Sequence, residues 1–255
     1  MIQQIYDMGL AQVFYLAFGL IGLLFEALVA VLICGKLKIK WWKALLLIAA
    51  SYNLRGYIAN FFEWLESGQF SGGFLTTAYP YIPVLIIIPM ALLLRVEKRR
   101  ACDLSAASLL AFQAPVHLGC IFVGCCRGFQ CDFGIWNPYR QFVTFPVQIC
   151  DAITCAIIAI GVLIYMHKKN WDTKGTVFPI ALILQGCDRF LWEFFRFHHK
   201  VFLGMTNLQL HALFLIAAGI ISLILVNRYN KKHPDKEEYE QECKKEPASS
   251  QEQGN

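Results

Sequence analysis

Apolar residues run through this chain in seven long blocks separated by short polar connections. The blocks are roughly Ala11–Cys34, Trp41–Leu65, Phe74–Leu94, Leu104–Val123, Pro146–Met166, Thr176–Phe197 and Met205–Val226. Each approaches the ~20 residues that a helix needs to cross a bilayer core. The third holds no charged residue, and the first holds a single acid, Glu26. The pattern predicts an all-α polytopic membrane protein with seven transmembrane helices. The first block does not read as a cleavable signal peptide, because no Lys or Arg precedes it and its apolar run is too long. No inverted repeat is visible. After Val226 the pattern changes. The expected division is a membrane domain over 1–226 and a charged, disordered cytoplasmic tail over 227–255.

Composition sharpens this picture. Hydrophobic residues make up 57% of the 255, charged residues only 16%, and the mean hydropathy is +0.48. A soluble domain carries roughly 25% charged residues, so a water-soluble class is excluded. Coiled coil and disulfide-knot classes are excluded for the bulk of the chain as well.

Charge gives direction. The first loop carries Lys36, Lys38, Lys40 and Lys43, the third Arg95, Lys98, Arg99 and Arg100, and the fifth Lys168, Lys169 and Lys174. With the tail, these alternate connections hold 17 of the 23 cations. The positive-inside bias makes them cytoplasmic. The N-terminus is then outside and the C-terminus inside, which an odd number of spans also requires. Six cations escape this explanation: Arg55, Arg127, Arg140, Arg189, Arg196 and Lys200. Cations inside a span are costly unless paired or facing a wet cavity. Five of the six are Arg, whose fork matches phosphate and carboxylate. They read either as an anionic headgroup site in the outer half of the membrane or as ion pairs with snorkelling side chains.

Three motifs carry candidate chemistry. In the sixth block, Arg189, Glu193 and Arg196 fall within about 60° of one helical face. The stripe suits a phosphate, with Glu193 shared between two guanidiniums, or it is an interhelical clamp. The fourth block ends in His117-Leu118-Gly119-Cys120 and Gly124-Cys125-Cys126-Arg127-Gly128, with Cys131 following. His117 is a candidate base near neutral pH or a histidine hydrogen-bonded between helices. The glycines permit close helix approach or present N–H groups to a ligand. The four cysteines raise zinc, but C-x4-C-C-x4-C is not a standard structural spacing. Disulfides and plain small side chains are the other readings. Gln69-Phe70-Ser71-Gly72-Gly73, Pro146-Val147-Gln148 and Met205-Thr206-Asn207-Leu208-Gln209 open the third, fifth and seventh blocks on the outer side.

The order of these pieces resembles the prolipoprotein diacylglyceryl transferase family from about Gln69 to Val226. R-F-x-x-E-F-x-R stands here as Arg189-Phe190, Glu193-Phe194 and Arg196. P-x-Q stands as Pro146 and Gln148, with the following acid at Asp151. The glycine-rich segment is matched at Gly119, Gly124 and Gly128, and the glutamine at the last span by Gln209. The chain departs from the pattern elsewhere. F-H-G-G reads Phe70-Ser71-Gly72-Gly73, the family's Arg and Asn in the fourth span are His117 and Cys120, and N-G-E reads Val123-Gly124-Cys125.

The resemblance implies a multi-pass enzyme of the bacterial plasma membrane with its active site toward the outer leaflet. It would transfer diacylglyceryl from the phospholipid phosphatidylglycerol to the lipobox cysteine of a prolipoprotein signal peptide, releasing glycerol phosphate. The catalytic candidates are His117, Arg189, Glu193 and Arg196. The substrate-binding candidates are Gly72, Gly73, Gly119, Gly124, Gln148 and Gln209. No cofactor, metal or nucleic acid is implied. The competing expectations are a divergent enzyme acting on another lipid or acceptor, and a non-catalytic lipid-binding or transport protein.

Overall fold

A computed structural model of the chain describes residues 8–67, 81–137, 141–196 and 200–233. The candidates Gly72 and Gly73, with Gln69, Phe70, Ser71 and Arg140, lie outside the described residues, as does the segment 234–255.

Among the described residues the chain forms seven α-helices. They are α1 (Met8–Cys34), α2 (Trp41–Ser67), α3 (Ile88–Leu93), α4 (Lys98–Val123), α5 (Val147–Lys168), α6 (Val177–Glu193) and α7 (Asn207–Lys232). Four of them, α1, α4, α5 and α7, are long and apolar enough to cross a membrane. A helix of 26 residues, such as α4, is about 39 Å long, against ~30 Å of hydrocarbon core. α6 has 17 residues, or about 26 Å. Its last predicted turn unwinds, so Arg196 lies past the helix end and bridges to Gly128. α7 runs to Lys232 and so continues past the expected boundary at 226.

Over its described residues, 81–94, the third apolar block is not one regular helix. A π-helical turn, Pro83–Ile87, leads into α3. Pro89 has no N–H to offer the carbonyl of Leu85, so the hydrogen-bond register widens there.

Glycine sets how closely the helices approach. A Cβ on Gly186 of α6 would meet Ile216 Cγ1 at 2.7 Å and the Ala212 carbonyl at 2.9 Å. A Cβ on Gly219 of α7 would meet Ile183 Cγ1 at 2.7 Å. The two helices therefore touch backbone to side chain, as small residues allow in lipid. α1 packs along α4 in the same way.

The bundle has two chemically distinct ends. At one end the basic connections are tied together. Lys43 Nζ donates to the Leu94 carbonyl at 2.6 Å, and Arg99 Nη1 to Asn230 Oδ1 at 2.7 Å. Asn230 Nδ2 donates to the Lys174 carbonyl at 3.1 Å. Asp103 of α4 caps α6 from outside that helix, accepting from the N–H groups of Gly175, Val177 and Phe178. An acceptor at a helix N-terminus satisfies donors that the helix cannot.

The other end carries two β-ribbons that the apolar pattern does not predict. β1 (Gln130–Asn137) pairs antiparallel with β2 (Phe142–Thr144), with a register shift between Gln130 and Ile135. β3 (Lys200–Phe202) pairs with β4 (Met205–Thr206). Leu203 and Gly204 both have positive φ, 48° and 74°, as a two-residue hairpin turn of the I′ kind requires.

Candidate active site

The ends of α4, α5 and α6 and the start of α7 converge beside these ribbons. Asp151, one turn into α5, is at the centre and is fully enclosed, at 0% exposure. It is the only acid of α5. Arg196 Nη2 donates to its Oδ2, and Arg189 Nη1 lies 3.4 Å from the same oxygen. His117 Nδ1 from α4 is 3.7 Å from it, beyond hydrogen-bond length. Glu193 sits on the other side of Arg196, with Oε2 3.7 Å from Nε. The stripe along α6 thus gains a second carboxylate from a neighbouring helix, and Asp151 is shared by both guanidiniums. Two buried cations and two buried acids within one cluster offset each other's desolvation.

The α7 start holds Glu193 in place. The hydroxyl of Thr206 donates to Glu193 Oε1 at 2.9 Å. The same hydroxyl accepts from Gln209 N–H, and the Gln209 side chain accepts from Thr206 N–H at 3.0 Å. This reciprocal capping box fixes both residues. Gln209 therefore reaches the cluster through Thr206. Gln148 is buried one turn before Asp151 and donates from Nε2 to the Cys125 carbonyl at 2.9 Å. It ties the loop after α4 to the start of α5.

The glycine candidates have local explanations. A Cβ on Gly119 would come within 2.9 Å of Phe18 Cβ, so Gly119 permits the contact of α4 with α1. Gly124 ends α4 in the left-handed conformation, φ 63°, the usual glycine role at a helix C-terminus. Arg55 belongs to a separate pair. Its Nη1 lies 3.2 Å from Glu26 Oε2, and its guanidinium covers the ring of Phe112.

An aromatic stack lies next to the cluster in the chain, since Phe195 immediately precedes Arg196. Phe129, Phe145 and Phe195 stack with centroids 5.2–6.4 Å apart. Backbone bonds hold this layer to the bundle, since Phe129 N–H donates to the Phe195 carbonyl at 3.0 Å. A second polar layer lies deeper. Cys155 Sγ approaches Asp188 Oδ2 at 3.8 Å and Gln113 Oε1 at 3.5 Å.

The loop cysteines also gather here. The Sγ atoms of Cys120, Cys125 and Cys126 all lie within 4.8 Å of one another. The Cys126 thiol is held well below its ordinary range, first by sulfur contacts from Cys120 and Cys125 and then by Arg196 and Arg189, which outweigh its burial.

Asp151, which the motif match names as the acid after Gln148, and Thr206 belong to the site although neither is among the candidate site residues. A signal for Asp151 is present, since a lone acid within an apolar span is a functional candidate by default. Thr206 carries only the capping-box pattern.

Comparison with known proteins adds an independent finding. Residues 23–225 match the profile of the family described as prolipoprotein diacylglyceryl transferase. A phosphatidylglycerol–prolipoprotein diacylglyceryl transferase of Clostridium tetani is 28% identical over 137 residues, covering 51% of this chain and 54% of that protein. Another from Clostridium perfringens, numbered 2 in its name, is 26% identical over 127 residues, covering 47% and 49%. The chain spans about half the length of the curated relatives it matches. The profile match covers most of this sequence and includes every site residue that the structure gathers around Asp151. By that match, the chain belongs to the prolipoprotein diacylglyceryl transferase family.

Proposed function

We propose that the protein transfers diacylglyceryl from phosphatidylglycerol to the cysteine thiol of a lipobox in a prolipoprotein signal peptide. The observation that carries the reading is the buried Arg189–Arg196–Asp151 cluster, joined by Glu193 and His117. A thiolate attacks the glycerol carbon, a C–S bond forms, the C–O bond to phosphate breaks, and glycerol phosphate leaves with the electron pair. Charge grows on the departing phosphate, and two preorganised guanidiniums are suited to stabilise it. Arg196 Nε and His117 Nδ1 are among several buried side-chain atoms of the described residues that have no hydrogen-bond partner. A phosphate oxygen would satisfy the first. The second can accept the thiol proton.

Arg189 and Arg196 bind the phosphate in this reading, Glu193 orients them, and His117 serves as base. Gln148 and Gln209 hold the neighbouring loop and helix start. Gly72 and Gly73 retain the substrate-binding role that the resemblance implies. The protein is a seven-span membrane protein with its N-terminus outside and the cluster toward the outer leaflet. Its partners are the phospholipid and the signal peptide; nucleic acid has no part in the reaction.

The test is rescue of a bacterial strain depleted of its own transferase. Growth restored by this chain and lost with Arg196→Ala is the expected result. Absence of rescue and of transfer, with phosphatidylglycerol binding retained, would replace the enzyme by a lipid-binding protein.

A further inference from the structure

The chain leaves α4 through an unusual turn. Gly124 has φ 63° and Cys126 has φ 55°. Glycine takes this left-handed conformation freely, whereas a residue with a Cβ is disfavoured there. Two such residues within three positions fold the chain back, so that Cys125 and Cys126 return over Cys120 in the last turns of α4. Both flanks are clamped. Gln148 holds the Cys125 carbonyl at 2.9 Å, and Gly128 bridges to Arg196. A strained residue that its surroundings hold in place marks a candidate functional site.

The result is three free thiols whose sulfurs lie within 4.8 Å of one another. Cys131, the fourth cysteine of the run, points elsewhere; its Sγ donates to the Phe133 carbonyl at 2.7 Å on its own strand. Cys120 is buried, Cys126 half-buried and Cys125 exposed, so the cluster is open on one side. An all-sulfur set disfavours calcium and magnesium, which take oxygen ligands, and favours thiophilic ions. Zn–S bonds of ~2.3 Å in a tetrahedron put sulfurs about 3.8 Å apart. Side-chain rotations that close each gap by at most about an ångström would reach that spacing. Three protein ligands with one open position is the arrangement of catalytic zinc, not of closed structural sites.

We propose that Cys120, Cys125 and Cys126 form a three-thiolate site for zinc, whose fourth position accepts an incoming substrate thiol. The second half rests on the transferase reading. On coordination the thiol gives its proton to the base of that reading, His117, and becomes a metal-bound thiolate, because a coordinating thiol is deprotonated. The thiolate is the nucleophilic form. Arg196 is bridged through its backbone to Gly128, two residues after Cys126, which brings a cation to the same turn to offset the negative charge of the thiolates.

The full chain purified in detergent tests this. Elemental analysis should find about one zinc per chain. Cys125→Ser and Cys126→Ser should reduce it to background, whereas Cys187→Ser, on the exposed side of α6, should not. Cobalt exchanged into the wild-type protein should give thiolate charge-transfer absorption in the near ultraviolet. That absorption should strengthen when a lipobox peptide is added and stay unchanged with a peptide carrying serine in place of cysteine. Zinc no higher in the wild type than in Cys125→Ser, or a disulfide mapped between any two of the three residues, overturns the site. Cobalt bound without a response to the cysteine peptide overturns the open position. Transfer activity is measured separately. A chain that binds cobalt and peptide thiol but transfers no lipid keeps the metal site and loses the transferase reading.

Discussion

At the scale of single residues, one carboxylate organises the site. Asp151 is enclosed and faces two guanidiniums and an imidazole. Removing one partner of a buried ion pair leaves the other uncompensated, at a cost of about 3–5 kcal/mol. Asp151→Asn should therefore destabilise the protein by that amount in a denaturant titration in detergent. Because the stranded guanidiniums would then seek an anion, phosphatidylglycerol should restore part of the loss, and a neutral lipid should not. Equal stabilisation by both lipids would show that Asp151 merely clamps helices. The arginines differ from lysines here. Arg189→Lys replaces a planar fork with a point charge, so it should fail to restore phospholipid binding lost in Arg189→Ala. Unchanged affinity in both Arg189→Ala and Arg196→Ala would reduce the cluster to a structural role. For His117, a general base typically contributes ~100-fold or more in rate. His117→Gln keeps a hydrogen-bonding side chain without the proton acceptor, so turnover should fall by about that factor with phospholipid affinity intact. A full rate in His117→Gln would move the base elsewhere.

At the scale of elements, the contact between α6 and α7 positions the chemistry. Glu193 ends α6, Thr206 precedes α7, and their hydrogen bond joins the two helices. The helices can approach this closely because Gly186 and Gly219 present no side chain. A methyl group on Gly186 would need the Ala212 carbonyl and Ile216 to give way. Overpacking of this kind costs about 1–3 kcal/mol. Gly186→Ala should lose that much stability and should also loosen the Thr206–Glu193 bond, lowering activity. A Cβ on Gly161 of α5 would meet nothing within 4 Å, so Gly161→Ala should be neutral or stabilising by up to about 1 kcal/mol. Equal effects at the two positions would mean that close approach is not what Gly186 provides. Such pairings explain what sequence alone can convey. The helical blocks are legible because apolar runs report on a residue's own environment. The Arg189–Arg196 stripe is legible because its members are neighbours along one segment. Asp151 as the shared acid, and the grouping of Cys125 and Cys126 over Cys120, depend on how helices and turns meet, which no periodicity encodes. The β-ribbons escape for another reason: they are two- to eight-residue strands held by backbone pairing at the bundle end. The end of α6 at Glu193 follows tertiary contacts of Arg196 with Gly128 and Asp151, not the apolar pattern that runs on to Phe197.

At the scale of the whole molecule, the two ends of the bundle have opposite tasks. Three basic connections meet at one end through bonds of Lys43, Arg99 and Asn230. The arginine–carboxylate cluster, the loop cysteines and the aromatic layer occupy the other. Cytoplasmic loops attract Lys and Arg, so the first end should be cytoplasmic and the second should face outward. A single cysteine placed at each end of a cysteine-free chain separates the outcomes. At Gln141 and Gly204, beside the β-ribbons, a membrane-impermeant maleimide added to intact cells should label the protein. At Lys98 and Lys169, in the basic connections, labelling should require permeabilised cells. Labelling of Lys98→Cys or Lys169→Cys in intact cells would invert the bundle and put the cluster toward the cytoplasmic leaflet. The transferase reading would then lose its access to a signal peptide emerging on the outer side. Protection of all four positions in intact cells would instead bury the ribbon end, and with it the proposed entry of the acceptor thiol.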